Sequence, residues 1–185
     1  LGVDRLADAG PAAGDAGSAA IIAQVFESLT AIDPSQTLRP ALAERWELRD
    51  EGRTIVFTLR DGLRFSDGTE LGAADVLRSW LRVIDPAAPS PLASLLYDVV
   101  GARDYATGRG SAEGVAIRAE GRSLEVNLTR PAADFAAIAA SPTLAVVPPG
   151  VGRDVADRGR AGPVALVGPQ AQPVRGGAGE HVAPR

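Results

Sequence analysis

The sequence predicts an α/β protein in which a mixed sheet, built from antiparallel hairpins, packs against helices. Three observations indicate this fold class. Residues 53–80 combine an alternating strand pattern, two tight turns and an amphipathic helix. Residues 43–60 and 115–128 each hold two alternating segments around a short turn, which is typical of a hairpin. With 185 residues, the chain is long enough to bury the core of one ordinary domain.

The N-terminal 40 residues are predicted to contain a loop, a helix and a turn. Residues 1–17 are mainly Ala, Gly and Asp without a hydrophobic period, so they read as a loop. Ser18 can cap the helix that follows. Its apolar face is predicted to consist of Ile21, Ile22, Val25, Phe26 and Leu29. The sequence Asp33-Pro34-Ser35 then favours a turn.

The central segment predicts a hairpin followed by a helix. Alternation over residues 54–60 indicates a strand that buries Ile55, Phe57 and Leu59 on one face. The preceding alternation places Trp46 and Leu48 on one side of a partner strand, and we expect Trp46 to be a core aromatic residue. The apolar face of the helix is predicted to consist of Val76, Leu77, Trp80, Leu81 and Ile84.

The rest of the chain predicts shorter elements and then a tail. A short helix over 91–97 is followed by the second hairpin, with its turn at residues 120–122. Pro131 is predicted to open another helix that buries Phe135, and residues 144–147 to form a further strand. From Val151 onward the chain is rich in Gly, Pro, Arg and Ala without an aromatic residue, which is typical of disorder.

The side chains that usually carry catalysis are scarce. The one histidine, His181, lies four residues from the end of the sequence, and there is no cysteine, so neither a Ser-His-Asp triad nor a His or Cys metal site is predicted. Asp61, Asp67 and Asp75 crowd one segment, but turn formation and helix capping explain them better than a carboxylate site. We therefore predict no enzymatic activity, no metal and no cofactor.

Charge and hydropathy restrict the class of partner. The net charge of −4 disfavours binding to nucleic acid, which usually needs a basic patch. All 19 basic residues are arginine, which we interpret as a reflection of GC-rich coding. No apolar run approaches the roughly 18 residues that a membrane-spanning helix requires.

Several short sequence motifs occur one after another between residues 25 and 94. They are Val25-Phe26-Glu27-Ser28-Leu29, Pro40-Ala41-Leu42-Ala43-Glu44-Arg45-Trp46, Leu59-Arg60, Phe65-Ser66-Asp67-Gly68-Thr69, Ala73-Ala74-Asp75-Val76, Ser79-Trp80 and Ser90-Pro91-Leu92-Ala93-Ser94. Together they resemble the extracellular solute-binding proteins that serve peptide ABC transporters, in particular the oligopeptide-binding branch. The resemblance covers about residues 18–149.

The resemblance implies part of a two-lobed, type II periplasmic-binding-protein fold. Residues 1–40 would begin the first lobe, and residues 41–149 would form the smaller α/β domain of the peptide-binding branch. Residues 150–185 would be a disordered or non-homologous tail, because the family returns to the first lobe at this point. Members of the family run to several hundred residues, so we expect this chain to hold an incomplete fold.

The resemblance also implies a ligand-binding function without a catalytic step. The chain would belong to the substrate-binding component of an ABC transporter, a monomer in the periplasm or a lipoprotein on the cell surface. It would capture a peptide and deliver it to a membrane permease. Two alternatives are a ligand-sensing domain of a regulator and a binder of a non-peptide solute, such as a metal chelate or an oligosaccharide.

Four residues are expected to contact the ligand if the resemblance holds. The loop before the first helix lines the cleft in this family and maps onto Asp15, Ala16 and Gly17. Leu92 occupies a position where oligopeptide binders carry an aromatic residue that faces the peptide. Since one face of the cleft is missing, we expect the isolated chain to bind peptide weakly or not at all.

Overall fold

The computed structural model describes residues 26–149. Three predictions lie outside these residues: the N-terminal loop with Asp15, Ala16 and Gly17, the helix start at Ser18, and the tail over 150–185. The predicted helix face extends to Leu29, but this part of the prediction is wrong. Phe26 to Leu29 are not helical, and a strand begins at Thr30.

The described residues form two antiparallel sheets. Strands β1 (Thr30–Ile32) and β2 (Leu38–Pro40) make a two-stranded ribbon around the predicted turn at Asp33. The second sheet has the order β3–β4–β6–β5. Its strands are β3 (Ala43–Arg49), β4 (Thr54–Leu59), β5 (Ile117–Glu120) and β6 (Ser123–Asn127). Both predicted hairpins, and with them the α/β class, are confirmed.

Within residues 26–149, three α-helices and several short 3₁₀ turns pack beside the sheets. The helices are α1 (Ala73–Val83), α2 (Ala102–Ala106) and α3 (Phe135–Ile138). The 3₁₀ turns are Asp50–Gly52, Ala93–Leu96, Ala112–Gly114 and Pro142–Leu144. Helix α1 is in its predicted place. Helix α3 buries Phe135 as predicted but begins there, so the predicted start at Pro131 is wrong. The predicted short helix over 91–97 is a 3₁₀ turn. The predicted strand over 144–147 is wrong, because this buried segment begins in a 3₁₀ turn and forms no ladder.

Strand β4 is the centre of the larger sheet. Phe57 lies opposite Trp46 on β3 and opposite Leu124 on β6, so these three side chains share one face. Ile55, Phe57 and Leu59 on this face are fully buried, as the alternation predicts. Trp46 packs against the core but stays partly exposed, since β3 is the outermost strand of this sheet among the described residues.

Three aromatic rings form the middle of the core. The Trp80 ring on α1 lies 6.5 Å from the Phe57 ring and 6.0 Å from the Phe135 ring, edge to face in both cases. All three side chains are fully buried. Edge-to-face contact is favourable because the positive rim of one ring meets the negative face of the next. Helix α1 therefore joins the sheet to the segment around α3.

A close backbone approach fixes the start of α2. Gly101 has φ of +80°, and a Cβ atom at this position would lie 2.1 Å from the carbonyl oxygen of Gly114. Only glycine fits, both sterically and in backbone conformation. The approach holds α2 against the 3₁₀ turn that leads into β5.

Candidate functional site

Leu92 is the one predicted ligand residue within the described part of the chain. Its side chain is 37% exposed, whereas its neighbour Ala93 and the nearby Leu96 are buried. The Leu92 N–H donates to the Ser90 hydroxyl at 3.2 Å, and Ser90 itself is buried. The loop thus presents an apolar side chain on an anchored backbone. Its contact with a ligand stays a prediction, and the other predicted site residues, Asp15, Ala16 and Gly17, lie outside the described residues.

Two of the three crowded aspartates, Asp67 and Asp75, have the structural roles that the sequence indicates. The Asp67 carboxylate accepts hydrogen bonds from the Thr69 hydroxyl at 2.6 Å and the Thr69 N–H at 2.9 Å, and these bonds lower the pKa of Asp67. Asp75 accepts from the Gly72 N–H at 2.9 Å, at the start of α1. Both carboxylates therefore shape the backbone, as turn and cap residues do.

A similar network stabilises the turn between β1 and β2. Asp33 accepts from the Ser35 hydroxyl at 2.6 Å, from Arg39 Nε at 2.8 Å and from the Thr37 N–H at 2.9 Å. These bonds hold the pKa of Asp33 far below its ordinary value of 3.8. The group is a stable anion whose lone pairs serve the turn, so it is not suited to proton transfer.

An open groove of about 890 Å³ lies beside the β1–β2 ribbon. One wall comes from residues 26–32 and the other from the 3₁₀ turn at Leu95 and residues 137–142. The apolar side chains Ile32, Leu95 and Ile138 face it, together with Pro40 and Pro142. Periodicity does not reveal this groove, because its lining comes from five separate parts of the sequence: residues 26–32, 40–41, 60, 95 and 137–142.

Hydrogen bonds from α1 hold the segment that ends the described chain. The Val147 N–H donates to the Ser79 hydroxyl at 3.0 Å, and Arg78 Nη2 donates to the Val147 carbonyl at 2.6 Å. Asp75 Oδ1 accepts from Arg78 Nη1 at 2.6 Å and so orients the guanidinium. The sequence motif Ser79-Trp80 contains the hydroxyl that binds this segment. The motif alone does not predict that its partner is Val147, 68 residues away.

The described residues offer few groups for bond-making chemistry. No set of three or more His, Cys, Asp or Glu side chains among residues 26–149 is placed to hold a metal ion. Over the same range, no helix combines the length and apolar character needed to cross a bilayer. What this part of the chain presents is apolar contact surface, at Leu92 and in the groove.

Comparison with known proteins places this arrangement in a family. Residues 37–169 match the profile described as "Bacterial extracellular solute-binding proteins, family 5 Middle". The chain is 37% identical over 134 residues to the "Probable deoxycholate-binding periplasmic protein YgiS" of Escherichia coli K12, covering 71% of this chain and 25% of that protein. It is 35% identical over 129 residues to the oligopeptide-binding protein OppA of Bacillus subtilis, covering 69% and 24% respectively.

Solved structures agree with the sequence matches. OppA of Burkholderia pseudomallei superposes with a TM-score of 0.73 at 28% identity, over 77% of this chain and 28% of that one. OppA of Haemophilus influenzae in complex with the peptide RPPGFSPFR gives a TM-score of 0.73 at 26% identity, with the same coverage. This chain spans about a quarter of the length of these relatives. The chain belongs to the family of bacterial extracellular solute-binding proteins, family 5, and its described residues form part of the two-lobed, type II periplasmic-binding-protein fold.

Proposed function

We propose that this chain is part of the substrate-binding component of an ABC transporter, which captures peptides outside the cytoplasmic membrane. The observation that carries the proposal is the match of residues 37–169 to a family of extracellular solute-binding proteins. The named relatives include an oligopeptide-binding protein and a dipeptide-binding protein of Bacillus subtilis. The proposal concerns the whole family fold, because the chain spans only a quarter of these relatives.

The mechanism is capture without catalysis. Two lobes close by a hinge on an extended peptide, and backbone groups pair with its main chain so that many side chains are tolerated. Residues 1–40 contribute to the first lobe and residues 41–149 form the smaller domain. The exposed side chain of Leu92 supplies apolar contact to the ligand, and Asp15, Ala16 and Gly17 line the cleft. The loaded monomer then meets a membrane permease, with no role for nucleic acid or for an enzymatic step.

A second candidate function is binding of an apolar non-peptide solute. The relative at 37% identity is named as a probable deoxycholate-binding protein, and deoxycholate is a steroid acid with a large apolar surface. An aliphatic Leu92 in place of an aromatic residue suits such a ligand, because it offers burial without a ring face. A metal chelate, an oligosaccharide or a regulatory sensing role has no comparable observation in its favour.

A chimera tests the two candidates directly. Residues 26–149 replace the matching segment of Bacillus subtilis OppA, so that both lobes are present. We expect calorimetry to show binding of short peptides within about tenfold of the parent protein, since the match covers only 24% of that protein and the rest of both lobes is unchanged. Deoxycholate binding with loss of peptide binding would instead support the second candidate. A folded chimera that binds neither ligand would contradict the proposed role of this segment.

Leu92 has a matched control within the exchanged segment. Leu48 is exposed to a similar degree, 42% against 37%, but lies on the edge strand β3. In the chimera, we expect Leu92→Asp to weaken ligand binding and Leu48→Asp to leave it unchanged. Equal effects of the two substitutions would remove Leu92 from the site. In the isolated 185-residue chain we expect no peptide affinity as tight as about 1 μM, which corresponds to roughly 8 kcal/mol.

A further inference from the structure

Strand β3 is the longest strand of the larger sheet and lies at its edge. It has seven residues, whereas β5 at the opposite edge has four. Among residues 26–149, no strand pairs with the outer side of β3 from Glu44 to Arg49. An edge of this length presents a row of backbone N–H and C=O groups that can pair with another chain. The outer edge of β3 is therefore a candidate interaction surface.

One face of β3 carries charges that alternate in sign. Arg45, Glu47 and Arg49 lie on the face away from the core, because Trp46 lies opposite the buried Phe57 on the other face. Glu47 accepts a hydrogen bond from Arg49 at 2.9 Å. The side chains of Arg45 and Glu47 are 71% and 63% exposed. A row of like charges would repel a second copy of the strand, whereas this row can match one.

Antiparallel pairing of β3 with β3 of a second copy brings opposite charges together. When Trp46 of each copy lies on the two-fold axis, Arg45 of either copy lies opposite Glu47 of the other. Opposite charges on directly facing positions of neighbouring strands are favourable. The two half-buried Trp46 side chains also cover each other in this arrangement. The pairing thus combines backbone hydrogen bonds, two ion pairs and apolar contact.

Other registers of the same pairing are opposed by charge or by the length of the strand. A slide of two residues pairs Glu47 with Glu47 or Arg45 with Arg45, and like charges in such a pair are unfavourable. A slide of one residue sets the core face of one copy beside the charged face of the other. A slide of four residues moves Trp46 opposite Asp50 or Leu42, both of which lie outside the strand. The sequence of β3 therefore selects a single register.

We propose that this chain forms a symmetric dimer through β3, in which the two four-stranded sheets join into one sheet of eight strands. The interface is isologous, because the same strand of each copy meets across the two-fold axis. It consists of one strand from each copy, so it is small, and the dimer forms only at high protein concentration. At low concentration the chain remains the monomer of the proposed function.

Sedimentation equilibrium of two charge variants of the full 185-residue chain tests the proposal. Arg45→Glu sets a carboxylate opposite Glu47 of the second copy, and Glu47→Arg sets a guanidinium opposite its Arg45. We expect the wild type to self-associate as its concentration rises from about 10 μM to about 1 mM, and each variant alone to stay monomeric. An equimolar mixture of the two variants restores both ion pairs, so we expect it to form a heterodimer.

Two substitutions outside β3 control for net charge. Arg64 and Glu70 form an exposed ion pair, and Arg64→Glu and Glu70→Arg make the same changes in charge as the two β3 variants. Each control variant should keep the self-association of the wild type. Three results would overturn the proposal: a wild type that is monomeric up to about 1 mM, a dimer that Arg45→Glu leaves unchanged, or a mixture of the β3 variants that stays monomeric.

Introduced cysteines test the register, because the sequence contains no cysteine. Trp46→Cys brings two thiols together on the two-fold axis. Leu48→Cys, at another exposed position of β3, leaves the two thiols about 13 Å apart along the strands, beyond the reach of a disulfide. Under mild oxidation we expect Trp46→Cys to form a disulfide-linked dimer at least about ten times faster than Leu48→Cys. Equal rates, or faster linkage through Leu48→Cys, would overturn the proposed pairing.

Discussion

The aromatic centre of the core and the terminal segment over 144–147 are both held by helix α1, but by opposite kinds of contact. In the aromatic centre, Trp80 meets two rings at centroid distances of 6.0 and 6.5 Å. In the terminal segment, hydrogen bonds dominate. Trp80 Nε1 donates to the Leu144 carbonyl at 3.0 Å, the Ser79 hydroxyl accepts from the Val147 N–H, and Arg78 donates to the Val147 carbonyl.

The difference follows from what each region has to bury. The rings contribute apolar surface, for which contact with any well-packed neighbour is favourable. The terminal segment is equally buried, with Leu144 and Val146 fully covered, but it belongs to no strand or helix along most of its length. Its N–H and C=O groups cannot reach water and need specific partners. The aromatic centre can therefore accept a change in side-chain shape. The terminal segment depends instead on individual hydrogen-bond donors and acceptors.

The largest expected effect comes from the residue that both regions share. Trp80→Ala removes the ring between Phe57 and Phe135 and leaves the Leu144 carbonyl without its donor. We expect a loss of about 3–5 kcal/mol in the free energy of unfolding. Urea denaturation followed by circular dichroism measures it, and a loss below about 1 kcal/mol would contradict the central position of Trp80.

A conservative exchange at the same position separates the two contributions. Trp80→Phe keeps an aromatic ring in the core but cannot donate to the Leu144 carbonyl. We expect it to cost about 1–3 kcal/mol, the range for a buried polar group that loses its partner, together with a small packing defect. If Trp80→Phe were as harmful as Trp80→Ala, the hydrogen bond rather than the ring packing would dominate.

Ser79→Ala tests the terminal segment alone. The Ser79 hydroxyl accepts from the Val147 N–H and lies 2.7 Å from the Asp75 carbonyl, to which it donates. Its loss leaves a buried N–H unpaired, and we expect a cost of about 1–3 kcal/mol. Hydrogen exchange should show faster exchange at Val147, with little change in β4. The exposed Ser94→Ala serves as the control and should leave both regions unchanged.

Arg78→Ala is expected to act more weakly on the same segment. Arg78 donates to the Val147 carbonyl and pairs with Asp75, but its side chain is 41% exposed, so water can replace part of these contacts. We expect a loss of about 0.5–1 kcal/mol. Arg78→Lys keeps the charge but not the planar fork, so it tests whether geometry matters. An effect of Arg78→Ala larger than that of Ser79→Ala would reverse this ranking.

The sequence predicts the aromatic centre better than the terminal segment, for a physical reason. Ile55, Phe57 and Leu59 alternate within one strand, so a local pattern reveals which face is buried. The contacts of Trp80 with Leu144 and of Ser79 with Val147 join residues 64 and 68 positions apart, and no local period records such a pairing. The segment over 144–147 therefore reads as a strand, although its N–H groups bond to carbonyls of residues 27, 141 and 142 and to the Ser79 hydroxyl, and α1 side chains donate to its Leu144 and Val147 carbonyls.

The β1–β2 ribbon and the groove could not be predicted from the sequence, for related reasons. Strands β1 and β2 have three residues each, too few for an alternating pattern to show. The apolar residues Phe26 and Leu29 consequently read as a continuation of the preceding helix face. Leu92 is exposed, and its contact with a ligand stays a prediction. Its predicted companions Asp15, Ala16 and Gly17 lie outside the described residues.

The smallest expected effect concerns the turn at Asp33, an exposed polar network that belongs to neither region. Because the pKa of the folded carboxyl lies below its ordinary value of 3.8, Asp33 contributes stability that is fully present above this value and is lost as the pH falls below it. We expect wild type and Asp33→Asn to differ in unfolding midpoint near neutral pH, and this difference to shrink progressively as the pH falls below about 4. The exposed Asp61→Asn should follow the wild-type profile.

Part of the acid sensitivity should survive in Asp33→Asn, since the pKa of Asp67 is lowered by its own turn. A wild-type advantage that stayed constant from neutral pH to pH 2 would show that the Asp33 charge is not its source.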